Sequence, residues 1–440
     1  TTEIYTLSLH DALPICSMFG VEVGHALIRI DDFFFLEGGF ALEVGSGVAV
    51  DIRTGFGVTP TPQSNAALGS LIASGNVSPL DHSRVNSYAM NSFVLGLSDV
   101  NLFAGSGPYF AENDGEDNDG DGETDEVGER DPDAIGLVLE DLDLGLALYK
   151  DPAKKIGTLW ALSASADQVA FIGVPYLTLE ATGIQVEANQ GKAWANTQVR
   201  PYVDFVSTYG EDGLQVPTGG DPVAMAFDNG KLGVSVANAV LAVEGFIHIS
   251  GAFAFEKGAR HRVTIDTGVS FGDPQWAATY AQLTAAGADV SADWSEVANV
   301  EVEAITFGMK DVNVFVGYGN PDFESATPVS EQDDIFGLVV SDVDVGLAVM
   351  KSTNKNLKLP TMTAISAHAD EFLVAGGEGI FEILGQDIEI RANWSSGWVG
   401  SAGLRPVVDF QKSFASTGGL EVPTGADPVL IDYSEGAFIE

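Results

Sequence analysis

"VLAVEGFIHISGAFAF" occupies residues 240–255. Leu241, Val243, Ile247, Ile249, Phe253 and Phe255 share one parity in it, while Glu244, His248, Ser250 and Ala252 share the other. A period of two held across the whole stretch predicts a long strand with one strongly apolar face. Ile28, Ile30, Phe34, Leu36, Phe40 and Leu42 write the same pattern nearer the start of the chain. The opposite face is small rather than charged, as at Ala161, Ser163 and Ser165. Large apolar side chains backed by small ones suit a sheet packed closely on something else, either a second sheet or the next repeat.

The two strand-rich regions belong to a duplication. "GGFALEVG" (38–45) matches "GAFAFEKG" (251–258), and "LSDVNLFAGSG" (97–107) matches "MKDVNVFVGYG" (309–319). "GLVLEDLDLGLALYK" (136–150) matches "GLVVSDVDVGLAVMK" (337–351), "ALSASAD" (161–167) matches "AISAHAD" (364–370), and "RPYVDF" (200–205) matches "RPVVDF" (405–410). "GLQVPTGGDPV" (213–223) and "GLEVPTGADPV" (419–429) carry turn residues and predict a turn before the last strand of each copy. Residues 19–228 thus recur as 232–434, a strong sign of internal repetition. The expected division is 17–229 for repeat 1, 230–433 for repeat 2, and 434–440 as the start of a truncated third repeat. Residues 1–16 match nothing that follows and look like translated sequencing-adapter read-through, an artefactual or disordered leader excluded from fold reasoning. The fold class that results is all-β. It consists of two tandem homologous repeats of long antiparallel strands, as a sandwich or an elongated meander or solenoid-like array, with minor helix in insertions. The main helical candidate is 273–294, opened by Asp273 and Pro274, with a shorter counterpart over 60–75.

With 20 Lys and Arg against 63 Asp and Glu, the formal net charge is −43. Such a surface repels nucleic acid and anionic membranes and attracts cations, through calcium sites, saline adaptation or both. Cys16 is the single cysteine, so no disulfide framework forms within the chain. No apolar run is long enough for a transmembrane helix.

The sharpest local motif is "DNDGDGETDE" (117–126), in an acidic stretch that repeat 2 lacks. Alternating aspartates around a Gly turn wrap hard oxygens about one point, as calcium requires. The stretch resembles the aspartate-rich loops of thrombospondin type 3 repeats and the EF-hand-like loops of secreted bacterial proteins. The resemblance implies side-chain oxygens from Asp117, Asp119, Asp121 and Asp125 and the backbone carbonyl of Glu123. Gly128 stands where an EF-hand has its bidentate Glu, so Glu126 or Glu129 would substitute, with weaker binding. The plain alternative is an acidic loop without a site.

A second feature occurs in both copies. Asp99 with Asn101, and Asp141 with Asp143, are matched by Asp311 with Asn313 and Asp342 with Asp344. If those strands pair, the oxygens cluster, and like charges then need a cation or a proton; otherwise they are polar strand faces meeting water. Arg200 with Asp204, and Arg405 with Asp409, are expected as structural ion pairs. "GVSFG" (268–272) fits a nucleophile elbow but has no serine in the first copy. Trp160, Trp394 and Trp398 would serve a carbohydrate-binding cleft.

Taken together, the chain resembles tandem acidic β-rich repeats of giant secreted bacterial surface or adhesin-like proteins, a metagenomic fragment of a longer array. That resemblance implies a non-catalytic stalk segment, extracellular or at the cell surface, stiffened by Ca2+. Its partners would be neighbouring repeats and extracellular polysaccharide or cell-surface ligands. An open β-groove carrying lipid or another apolar ligand is the alternative, and a secreted carbohydrate-acting enzyme comes third. Where the large apolar face goes, sealed or open, separates the first two.

Overall fold

The computed structural model describes residues 17–440 other than 32, 108, 111–129, 132, 270–275, 324, 326, 328, 330, 331, 333, 377–382, 399–402 and 435. The chain is all-β, with 60% of the described residues in strands and 9% in helices, and the strands are long and antiparallel. Its described residues form two compact units, those of 17–175 with 182–233 and those of 176–181 with 234–440. The leader 1–16 and the aspartate-rich loop, with Asp117, Asp119, Asp121, Glu123 and Asp125, lie outside the described residues, as does Ser270 of "GVSFG".

In the first unit β1 (Ser17–Ile30), β2 (Phe34–Arg53), β3 (Arg84–Ser106), β4 (Ile135–Lys150), β5 (Leu159–Ile172) and, from Thr182 on, β6 (Leu177–Gly191) follow one another across the sheet as a meander. Helix α1 (Pro62–Ala73) interrupts the β2–β3 connection. Thr61 and Ser64 close a capping box at its start, with Pro62 in the first turn. After β6 the chain turns back over the sheet as β7 (Tyr202–Val203), α2 (Phe205–Tyr209), and a hairpin of β8 (Leu214–Val216) and β9 (Val223–Met225).

The second unit repeats this order. Its meander is β10 (Lys231–Val243), β11 (Ile247–Asp266), β13 (Glu296–Tyr318), β14 (Phe336–Ser352), β15 (Met362–Ala375) and β16 (Ile383–Ser395). Helix α3 (Trp276–Ala285) and the short β12 (Asp289–Val290) lie between β11 and β13. A 3-10 turn at Lys355–Leu357 follows β14. The covering layer is β17 (Val407–Asp409), α4 (Phe410–Ser413) and the β18–β19 hairpin (Leu420–Val422 with Val429–Ile431). At the end β20 (Phe438–Ile439) pairs with β16. Residues 273–275 of the expected 273–294 helix, with Asp273 and Pro274, lie outside the described residues, and the described part holds α3. Gly287 at φ 78 follows it, and the chain then turns into β12.

Each unit is a single sheet with a partial cover, so of the two expected arrangements the meander holds and the sandwich does not. The sequence left open whether the large apolar face is sealed, and the cover of each unit lies on the opposite face. The hairpins lie on the small-residue face: Ala41, Ala147 and Ala161 are buried in the first unit, and Ala304, Ala348 and Ala364 in the second. A methyl group on Gly96 would overlap the carbonyl of Pro217, and one on Gly308 would overlap that of Pro423. "GLxVPTGxDPV" therefore does more than turn the chain. It lays a hairpin so close to the sheet that only glycine fits beneath it. Val216, Met225, Phe205 and Val203 complete that core with Ile52, Leu159 and Tyr149; Val422, Ile431, Phe410 and Val408 do so with Ile265, Met362 and Met350. The large residues, such as Leu95, Leu144, Leu146 and Leu162, point to the other face and are only half-buried, and Phe255 and Ile305 in the second unit are exposed.

Candidate metal centre

The pairing of β3 with β4 skips twice. Leu97 faces Leu144, Val100 faces Leu142 and Leu102 faces Leu139, so β3 carries an extra residue first and β4 carries one just beyond. These are two β-bulges set on opposite strands of one ladder. Asp99 and Asp141 occupy them with φ of 51° and 52°, a left-handed conformation that Asp tolerates better than most residues. Each bulge leaves an amide without a ladder partner, and the neighbouring strand supplies one. The Asp99 N–H donates to Asp143 Oδ1 at 3.1 Å, and the Asp141 N–H donates to Asn101 Oδ1 at 3.0 Å.

The second unit builds the same device. Asp311 and Asp342 take φ of 52° and 50°, and their N–H groups donate to Asp344 Oδ1 at 3.0 Å and Asn313 Oδ1 at 3.1 Å. The recurrence of Asp–x–Asn on one strand and Asp–x–Asp on the next thus has a structural reason. One residue of each pair forms a bulge, and the other satisfies the bulge opposite.

Carboxylate oxygens converge in the first unit. Asp99, Asp141 and Asp143 each place a carboxylate oxygen within 4.8 Å of the other two, and among the described residues no other trio of Asp, Glu, His or Cys does so. Asp167 on β5 adds a fourth charge. Partial burial pushes the Asp141 carboxyl above its ordinary range, and Asp167, Asp143 and Asp99 push it further in the same direction. In the second unit burial and the equivalent carboxylates, Asp370, Asp311 and Asp344, also raise Asp342, but Lys310 acts against them. The Lys310 ammonium lies 2.5 Å from Asp344 Oδ2 and 3.4 Å from Asp311 Oδ1, and those carboxylates hold its pKa above the usual lysine value, with the Asp344 hydrogen bond foremost. His368 Nε2 lies 2.8 Å from Asp370. The same bulges there border a polar groove of about 460 Å3 lined by Asn313, Asp322, Asp342, Asp370 and Asp387.

Other expected residues take different places. Arg200 and Asp204 do not pair: Asp204 binds Arg53 at 2.7 Å and caps α2, while Arg200 donates to the Gly191 carbonyl. Asp409 caps α4 and its ion pair is with Lys412. In both cases the helix that follows "VDF" turns the aspartate toward its own first turn, away from the arginine. Trp398 is buried, its Nε1 donating to the Thr267 carbonyl at 3.1 Å, as Trp194 does to Thr54 at 2.7 Å, so it is a core residue and not a cleft platform. Asn189 and Asn393 are buried on the closing strands and donate to the Val203 and Val408 carbonyls. Trp194, Asn189 and Asn393 match no chemical motif, and their one signal in sequence is that "EAN…W" and "RAN…W" stand at equivalent places in the two copies. Among the described residues no helix is long and apolar enough to cross a membrane. No family model, curated protein or solved structure matches the chain.

Proposed function

We propose that this chain is a non-catalytic structural segment of a large extracellular repeat protein, a calcium-binding stalk for adhesion or biofilm surface arrays. The observation that carries the reading is what the duplication repeats. The recurring motifs hold bulges (Asp143, Asp344), cap short helices (Asp204, Asp409), tie the closing strand to the cover (Asn189, Asn393) or seat the hairpin on glycine (Gly96, Gly308). Duplication that preserves a scaffold in such detail suits a module used for its shape. A net charge of −43 makes neighbouring modules repel one another, and divalent cations relieve that repulsion. Neighbouring repeats, and extracellular polysaccharide or cell-surface ligands, are the partners this reading supplies.

A second reading, a carrier of lipid or another apolar ligand, is favoured by the half-exposed Leu and Phe face of each sheet. One pair of measurements separates them. Thermal unfolding of the full chain with millimolar calcium against chelator should show a calcium-dependent rise in Tm. A fluorescent fatty-acid probe should not bind at micromolar concentration. Saturable probe binding without a calcium effect on Tm would overturn the stalk in favour of the carrier.

A further inference from the structure

We infer that Asp99, Asp141 and Asp143 hold a calcium ion in the first unit, and that in the second unit the Lys310 ammonium has taken that ion's place. The inference rests on the calcium-binding reading above and assigns it a site apart from the 117–125 loop. Its basis is a difference between two copies of one structure. Asp344 uses Oδ1 on the Asp311 N–H and Oδ2 on Lys310. Asp143 uses Oδ1 on the Asp99 N–H in the same way, but position 98, equivalent to 310, is serine. The other basic side chain beside the second cluster is His368, and its equivalent is Ser165, which faces Asp143 as His368 faces Asp344. Where the second unit sets two basic groups against four carboxylates, the first sets two hydroxyls. Among the described residues no Lys, Arg or His forms an ion pair with Asp99, Asp141, Asp143 or Asp167.

Ser98 carries a second mark of a missing partner. It is 2% exposed, and its Oγ has no hydrogen-bond partner. A methyl group on Gly220 would meet that Oγ at 2.6 Å and Asp99 Oδ2 at 3.3 Å, so the orphaned hydroxyl sits beside the cluster. Three oxygens within 4.8 Å of one another fit around one ion whose metal–oxygen distances are about 2.3–2.6 Å. With three carboxylates, partly exposed and completed by water, the affinity belongs in the range of about 10⁻⁴–10⁻³ M typical of extracellular modules.

The test is calorimetric titration of the full chain with calcium chloride, in the wild type, Ser98→Lys and Asp141→Asn, with circular dichroism confirming each fold. Ser98→Lys supplies the second unit's internal cation and should lower the number of bound calcium ions by one. Asp141→Asn leaves the backbone clamp to Asn101 intact and should weaken the same site at least tenfold. If calcium binds the wild type but both variants match it in number and affinity, this site is overturned while the calcium-binding reading stands. If the wild type binds none at millimolar calcium, both fall.

Discussion

At position 98 the first unit has a hydroxyl where the second has the Lys310 ammonium, and at 165 a hydroxyl where the second has the His368 ring. The backbone around them is the same. Both units place aspartates in left-handed bulges, and both satisfy the bulge amides from the neighbouring strand to within 0.1 Å of the same distances. The bulges therefore do not depend on how the charge is balanced. A scaffold has been kept while the neutralising charge has moved between solution and side chain.

The largest effect should come from what the units share. Gly96→Val and Gly308→Val each drive a side chain into a hairpin carbonyl and should destabilise their own unit by about 3 kcal/mol, read as an earlier denaturant transition. Unequal losses would show that the two hairpins are not seated alike. Next comes a feature of the first unit alone. Asp151 is 3% exposed and accepts from the N–H groups of Ala153, Lys155 and Ile156 and from the Tyr88 hydroxyl. Its equivalent, Ser352, accepts only the Asn354 N–H among the described contacts. Asp151→Ala should cost about 2–3 kcal/mol and Ser352→Ala under about 0.5 kcal/mol in chemical unfolding.

Smaller still, Lys310→Ser should cost about 0.5–1 kcal/mol in calcium-free buffer and should add one calcium ion to the calorimetric stoichiometry. The weakest effect is on pH dependence. Asp141 and Asp342 have carboxyl pKa values raised above those of the unfolded chain. The folded state therefore holds those protons more tightly, and calcium-free stability is lost as pH rises from the ordinary carboxylate range through the raised values. The groups facing Asp141 are Asp99, Asp143 and Asp167, and Asp141→Asn should flatten that loss in unfolding measured across the acidic range. Asp342→Asn should flatten it less, because Lys310 already offsets part of the repulsion.

Where strands end was not legible: the stretch 240–255, read as one long strand, is divided between β10 and β11 by a turn over 244–246 with Gly245 at φ 77°, and 28–42 is divided between β1 and β2 in the same way. Strand class and the likeness of the two halves were legible because period two and self-similarity both survive in the residue string. The covered side was not. The Leu, Ile and Phe parity of the strands is the strongly apolar one, but glycine and alanine at 96, 145 and 147 let a hairpin approach the other side. Cover thus followed clearance rather than hydrophobicity. The bulges were hidden for a related reason: a left-handed residue resets the alternation, so counting by twos across Asp99 or Asp141 loses track of which side a residue faces. Part of the cluster could still be anticipated, since the aspartate pairs recur in both copies. The significance of Ser98 lies in the fold, which sets its counterpart Lys310 between two carboxylates.

The cover of each unit has one further consequence, for the order in which the chain folds. In the first unit β7 pairs Val203 with Ile52 and Tyr202 with Arg53, and the Arg53–Asp204 ion pair spans 151 residues of chain. In the second, β17 pairs Val408 with Ile265 in the same manner. A ribosome therefore delivers most of a sheet before it delivers the hairpin that shields it, and closing so long a loop is slow for entropic reasons. During that interval the glycine and alanine lane is bare. A nascent repeat is thus most open to pairing with a sister chain just before its last 30 or so residues emerge. Swapping of covers between adjacent copies is the misfolding route that this topology invites.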